Sequence, residues 1–179
     1  MRKLPLIAFA VAIGALSGVA AYVSARPAVE GWREIAWPFP RDGWPAGRAF
    51  RCTAASCGSE IELYLRPKIG FCNCDSGVAD DDEVDRVADL DLLSEHFRAL
   101  EPGQVVQVAS MPGRIRAYDL QMPDGSRRKA VGMAVSRRCD LMVAVAQGKT
   151  AAQGLERAAL DFLATRAVAD WITASMNGG

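Results

Sequence analysis

Residues 104–147, QVVQVASMPGRIRAYDLQMPDGSRRKAVGMAVSRRCDLMVAVAQ, decide the fold. Side chains of alternating character recur with period two at 104–110 and 113–120, and the break between them is Met111-Pro112-Gly113. Period two places successive side chains on opposite faces, so each run reads as a strand. Asp124-Gly125 marks a turn, and two apolar runs follow, 130–136 and 141–147, separated by Arg137-Arg138-Cys139-Asp140. Four strands in series with short connections make an antiparallel meander, because parallel neighbours need a long crossover.

Working back from the meander, Ile61, Leu63 and Leu65 alternate with Glu60, Glu62, Tyr64 and Arg66, which predicts a half-buried strand. From Asp80 the pattern changes to DDDEVDRVADLDLLSEHFRAL. Acids at its start complement a helix N-terminus, and Val84, Val87 and Ala88 have helical spacing. A second short helix is expected near 92–100. Working forward, Thr150 with Gln153 three residues later suggests a capping box, and Leu155, Ala159, Phe162 and Leu163 form one apolar stripe behind it. A closing helix, broken near Arg166, follows from this. Strands with an inserted helix and a helical C-terminus give an α+β fold: a single domain with a curved antiparallel sheet and packed helices.

The N-terminus has a different chemistry. Arg2 and Lys3 precede a run, 4–23, with no charged residue, and Val23-Ser24-Ala25 offers small residues to a signal peptidase. The run is also long enough to cross a ~30 Å hydrocarbon core as a helix. Residues 1–25 therefore read as a cleaved signal peptide or as a retained transmembrane signal anchor. Either places the remainder on the far side of a membrane, in the periplasm or anchored to the inner membrane facing it. The membrane is a partner only if the leader is kept.

Residues 26–47 hold GWREIAWPFPRDGW, with Trp32, Trp37 and Trp44 beside Pro38 and Pro40. Proline fixes φ and removes donors, so this is an extended strap. Its rings cover a core edge or, given the neighbouring leader, sit at a membrane interface. Residues 48–176 are then the globular domain.

The segment 66–74, Arg66-Pro67-Lys68-Ile69-Gly70-Phe71-Cys72-Asn73-Cys74, is followed by Gly77-Val78-Ala79-Asp80-Asp81 and Asp85-Arg86-Val87-Ala88-Asp89. With Trp37-Pro38-Phe39-Pro40 and Arg138-Cys139-Asp140, this pattern resembles a group of uncharacterised exported bacterial proteins carrying GFCNC, GVADD and DRVAD in that order. The resemblance covers most of the chain after the leader. It implies a single exported domain and brings no activity with it.

Chemistry is concentrated in Cys52, Cys57, Cys72, Cys74 and Cys139. In an oxidising compartment such cysteines form structural bridges. Cys52 and Cys57 flank a short loop, and Cys72 or Cys74 bridged to Cys139 would join distant segments and stabilise more. Two sharper readings compete with this. A Cys72–Cys74 bond would be strained and easily exchanged, giving a thiol-redox protein. Alternatively Cys72, Cys74 and His96, the one histidine, would offer soft ligands to copper or zinc. The spacings do not match paired zinc knuckles, and Asp80, Asp81, Asp82 and Glu83 lack the order of a calcium loop.

Other function classes find little support. Twenty-one Lys and Arg balance twenty-one Asp and Glu, so nucleic acid is not an expected partner. There is no Gly-x-Ser-x-Gly elbow, His-Glu-x-x-His or Walker loop, and no catalytic residue is assigned. Arg114, Arg116, Arg137 and Arg138 gather at strand ends and turns, where they present a positive face to anionic lipid or an acidic ligand, or only a solvated sheet edge. A non-catalytic binding or structural domain is the expected role, with no cofactor, and the protein or ligand partner is unspecified.

Overall fold

In the computed structural model, residues 29–40, 42–71 and 74–176 are described. The leader and Cys72 lie outside them. The elements are β1 (Trp32–Ile35), β2 (Arg48–Cys52), α1 (Ala54–Cys57), β3 (Ile61–Lys68), α2 (Asp81–Val87), a 3-10 turn (Leu90–Leu92), β4 (His96–Ala99), β5 (Gln104–Val108), β6 (Met111–Gln121), β7 (Arg127–Arg137), β8 (Asp140–Gly148), α3 (Ala152–Leu163) and α4 (Arg166–Met176). The fold is α+β, with one antiparallel sheet in the order β1-β2-β3-β8-β7-β6-β4, and β5 pairs with the remaining part of β6. The meander β5-β6-β7-β8 is present as expected, and β8 then pairs with β3.

Both faces of the sheet are covered. On one, Leu63, Leu65, Ile115, Met133 and Val135 pack under Leu155, Phe162 and Ile172 of α3 and α4. On the other, Tyr64, Tyr118, Ala130, Ala134 and Val143 pack under Val84 and Val87 of α2, Leu90 of the 3-10 turn, and Trp37 and Phe39 of the strap. Small Ala130 and Ala134 let the short helix approach; a β-carbon on Gly132 would already lie 3.0 Å from Ala88. The strap continues from β1 and sets Trp37 and Phe39 edge-on to Tyr64, and Trp44 edge-on to Phe71. These rings lie on their own domain. No helix among the described residues is long and apolar enough to cross a membrane.

Three local expectations are corrected. The β5–β6 turn is Ala109-Ser110, with φ of 48° and 66°, and Met111 and Pro112 belong to β6. Positive φ at both central residues matches the twist of a two-residue hairpin, here without glycine. The expected helix at 92–100 is instead the 3-10 turn followed by β4, whose His96 faces Gln121 across the ladder. β6 has eleven residues and β5 covers only its first part, so β4 satisfies the backbone groups of the rest. α3 begins after Ala151, which makes no side-chain cap, so Thr150 and Gln153 form no capping box. At α2 the capping expectation holds: the Glu83 N–H donates to Asp80 Oδ1 at 2.9 Å.

Candidate functional site

Among the described residues there are two disulfides, and one of them adjoins the candidate site. Cys52, fully buried at the end of β2, bonds Cys57 of α1, closing the short loop that the spacing suggested. Cys74 bonds Cys139, tying the segment between β3 and α2 to the β7–β8 turn across 65 residues of chain. The same segment is held at two further points. The Gly70 N–H donates to Asp140 Oδ1 at 2.7 Å, and the Val78 N–H donates to Ser136 Oγ at 3.4 Å. Gly77 lies against Ser136 with φ 58°, where a β-carbon would collide with the hydroxyl. Cys74 is committed to Cys139 and so is not available for the expected exchange-prone bond to Cys72, which lies outside the described residues.

Beside this bridge lies a cleft of about 660 Å3. Its walls come from Cys74–Gly77, the Ala109-Ser110 turn with Met111 and Pro112, the β7–β8 turn with Arg137 and Arg138, and Thr173 of α4. Cys74, Arg137 and Arg138 are exposed and Cys139 is half-buried. Two guanidinium groups against the single carboxylate of Asp75 make the lining net positive, with Ser76 and Ser110 hydroxyls able to donate. The arrangement suits an acidic group small enough to enter.

Arg114 and Arg116 do not share this cleft. On β6 they face α2: Arg114 donates to Asp81 at 2.7 Å and Arg116 to Asp85 at 2.8 Å. Asp85 also accepts from the Tyr118 hydroxyl at 2.6 Å, and Asp81 from the Gly103 N–H at 2.9 Å. The Gly103 and Arg114 hydrogen bonds hold the Asp81 carboxyl below the usual carboxylate range. Burial, reinforced by Asp85, raises the Tyr118 phenol. The pairs dock a two-turn helix onto the sheet, so the four arginines divide into a docking pair and a cleft pair.

His96 is likewise separate from the cysteines. It is exposed on β4 opposite Gln121, whereas the Cys74 cleft adjoins Met111 and Pro112 at the other end of β6. Ten residues of strand put roughly 30 Å between the two ends. Cys74 and His96 are therefore not brought together for copper or zinc, and the Cys74 sulfur is already bonded. Among the described residues no group of three His, Cys, Asp or Glu is placed to hold a metal ion.

The structure also shows a buried ionic cluster that sequence reasoning missed. Arg66 on β3 donates to both oxygens of Asp89, at 2.6 and 2.8 Å, and to both oxygens of Asp42 on the strap, at 2.8 and 2.7 Å. Lys68 Nζ lies 2.6 Å from Asp89 and donates to the Val87 carbonyl at 2.8 Å. Trp44 and Phe71 rings stand 6.0 and 5.4 Å from the ammonium. Burial opposes the Arg66 charge, but the Asp89 and Asp42 hydrogen bonds outweigh it and raise its pKa. The Arg66 hydrogen bond pulls the Asp42 carboxyl down to about 2. This cluster latches the strap and the 3-10 turn to the sheet; with every charge engaged, it is structural. Period-two alternation gives Arg66 and Lys68 the appearance of a solvent face, and no local signal marks their distant partners.

No protein-family model and no curated protein sequence matches the chain. Two solved structures are similar in shape. A Pseudomonas aeruginosa protein of unknown function, PA94, has a TM-score of 0.46 at 16% identity, over 70% of this chain and 86% of that one. LpqN of Mycobacterium tuberculosis, described as involved in cell envelope biogenesis, has a TM-score of 0.41 at 14% identity, over 77% of this chain and 75% of that one.

Proposed function

We propose that the chain is an exported, disulfide-stabilised domain of an oxidising compartment, with a binding role and no catalytic one. Its binding site is the arginine-lined cleft beside Cys74–Cys139. The observation that carries this reading is that bridge itself. It ties two segments far apart in sequence and forms part of the wall of a cleft with a net positive lining. Disulfides of this kind persist where the redox poise is oxidising and are rare in the cytosol. The charge-free run 4–23 after Arg2 and Lys3 supports the same location.

Mass spectrometry of the full chain, taken from its native compartment and alkylated without reductant, tests the reading. Cys52, Cys57, Cys74 and Cys139 are expected to escape alkylation, and the same spectrum gives the mature N-terminus. Alkylation of Cys74 and Cys139 would refute the proposal, whatever the state of Cys52 and Cys57.

A further inference from the structure

We propose that the Cys74–Cys139 bridge is an exchange site for small thiols carrying carboxylates, while Cys52–Cys57 is inert. The inference rests on the oxidised, exported state proposed above. The two bridges differ in access. Cys52 is fully buried, whereas Cys74 is exposed and lies on the wall of a cleft of about 660 Å3, large enough for a molecule of tripeptide size. An attacking thiolate must approach one sulfur along the bond that breaks: burial closes that path at Cys52, and attack at half-buried Cys57 would expel the thiolate onto Cys52 inside the apolar core, where burial disfavours the charge.

Charge then selects the attacker. Arg137 and Arg138 immediately precede Cys139 and line the same cleft, opposed by Asp75. Net positive charge attracts carboxylates and stabilises the thiolate that leaves. In the step, a thiolate forms a bond to Cys74 Sγ and the Cys74–Cys139 bond breaks. Its electron pair departs on Cys139 Sγ, which takes a proton from solvent. One disulfide is consumed and one mixed disulfide forms, so no external oxidant or reductant is needed.

The fold tolerates the opened bridge. The segment stays pinned on either side of Cys74 by the bonds from Gly70 to Asp140 and from Val78 to Ser136. The domain can therefore carry a thiol adduct at Cys74 while remaining folded, and so report or buffer the thiols of its compartment.

The test uses full-length oxidised protein from the native compartment, treated with reduced glutathione, 2-mercaptoethanol or cysteamine at matched thiolate concentration, acid-quenched and peptide-mapped. The expected result is adduct at Cys74 with Cys52–Cys57 intact, and rates falling from glutathione to 2-mercaptoethanol to cysteamine. The Arg137→Glu/Arg138→Glu variant should narrow or invert that order, by about sevenfold per reversed charge, because reversal changes two charge units and each is worth about threefold at roughly 7 Å in a water-like dielectric. Equal opening of both bridges, or rate ratios among the three thiols that are unchanged between wild type and variant, would overturn the inference. If the starting protein has no bridges, the exported reading fails; if the bridges are present and Cys74–Cys139 does not react, only this inference fails.

Discussion

Replacing Asp89 by asparagine keeps the side chain's shape and its tolerance of a left-handed backbone, φ 59°, but removes the negative charge buried between Arg66 and Lys68. Arg66 retains its paired bonds to Asp42, Lys68 retains the Val87 carbonyl and two ring faces, and the one remaining amide oxygen can accept from either cation but carries no charge. Breaking a buried ion pair by deleting one partner destabilises by about 3–5 kcal/mol, because an uncompensated charge stays buried. The retained partners place Asp89→Asn near the lower end, about 3 kcal/mol. That is a large share of the roughly 5–15 kcal/mol typical of a domain. With a urea slope of about 2 kcal/mol per molar, the unfolding midpoint should fall by about 1.5 M. Lys68→Met added to Asp89→Asn removes the orphaned ammonium and should recover part of the loss, giving a coupling visible in a double-mutant cycle. Equilibrium unfolding followed by tryptophan fluorescence measures both. A midpoint shift below about 0.5 M for Asp89→Asn, or strictly additive effects in the pair, would refute the view that these charges act as one buried unit.

The strap latch adds a pH signature. Asp42 has a folded pKa of about 2, below its unfolded value of 3.8, so its ionised form stabilises the fold above about pH 4 and that contribution disappears as pH falls through 2. Asp42→Asn should therefore be less stable than wild type by about 1 kcal/mol near neutrality, allowing for its partial exposure, and the gap should close in acid unfolding curves. Cys139→Ser, which opens a loop of 65 residues, should lower stability by about 4 kcal/mol, against about 2 kcal/mol for Cys57→Ser with its loop of five, both measured in urea without reductant. Gly77→Ala should cost about 1–2 kcal/mol, through its left-handed φ and the collision with Ser136, and should raise the alkylation of Cys74 and Cys139 under mild reductant.

The meander was legible because β6, β7 and β8 carry runs of consistent period or continuous apolarity bounded by turn residues. Asp80 could be read as a cap because its side chain acts on a backbone group three residues away. Information that local fails where the partner is distant. β4 has four residues and exists because β6 outruns β5, a fact set by the length of another strand. The Ala109-Ser110 turn uses left-handed residues without the glycine or asparagine that would announce them. At the site, the loop between Cys52 and Cys57 pointed to one bridge, and Cys139 was a recognisable partner for Cys72 or Cys74. The division of the four arginines was hidden, because nothing near Arg114 or Arg116 shows that Asp81 and Asp85 come to lie over them.

The edge strand β1 carries a rule about self-association. A two-fold axis that joins β1 to its copy in a continuous antiparallel sheet must stand perpendicular to the sheet, so each residue meets one of its own parity. Centred pairing of Trp32-Arg33-Glu34-Ile35 then sets Arg33 on Arg33 or Glu34 on Glu34, and like charges directly opposed are destabilising. Among the described residues, where β1 is the last strand of the sheet, centred self-pairing is thus disfavoured by symmetry, most strongly at Arg33, since Glu34 is already paired with Arg48. A strand of different sequence faces no such parity constraint.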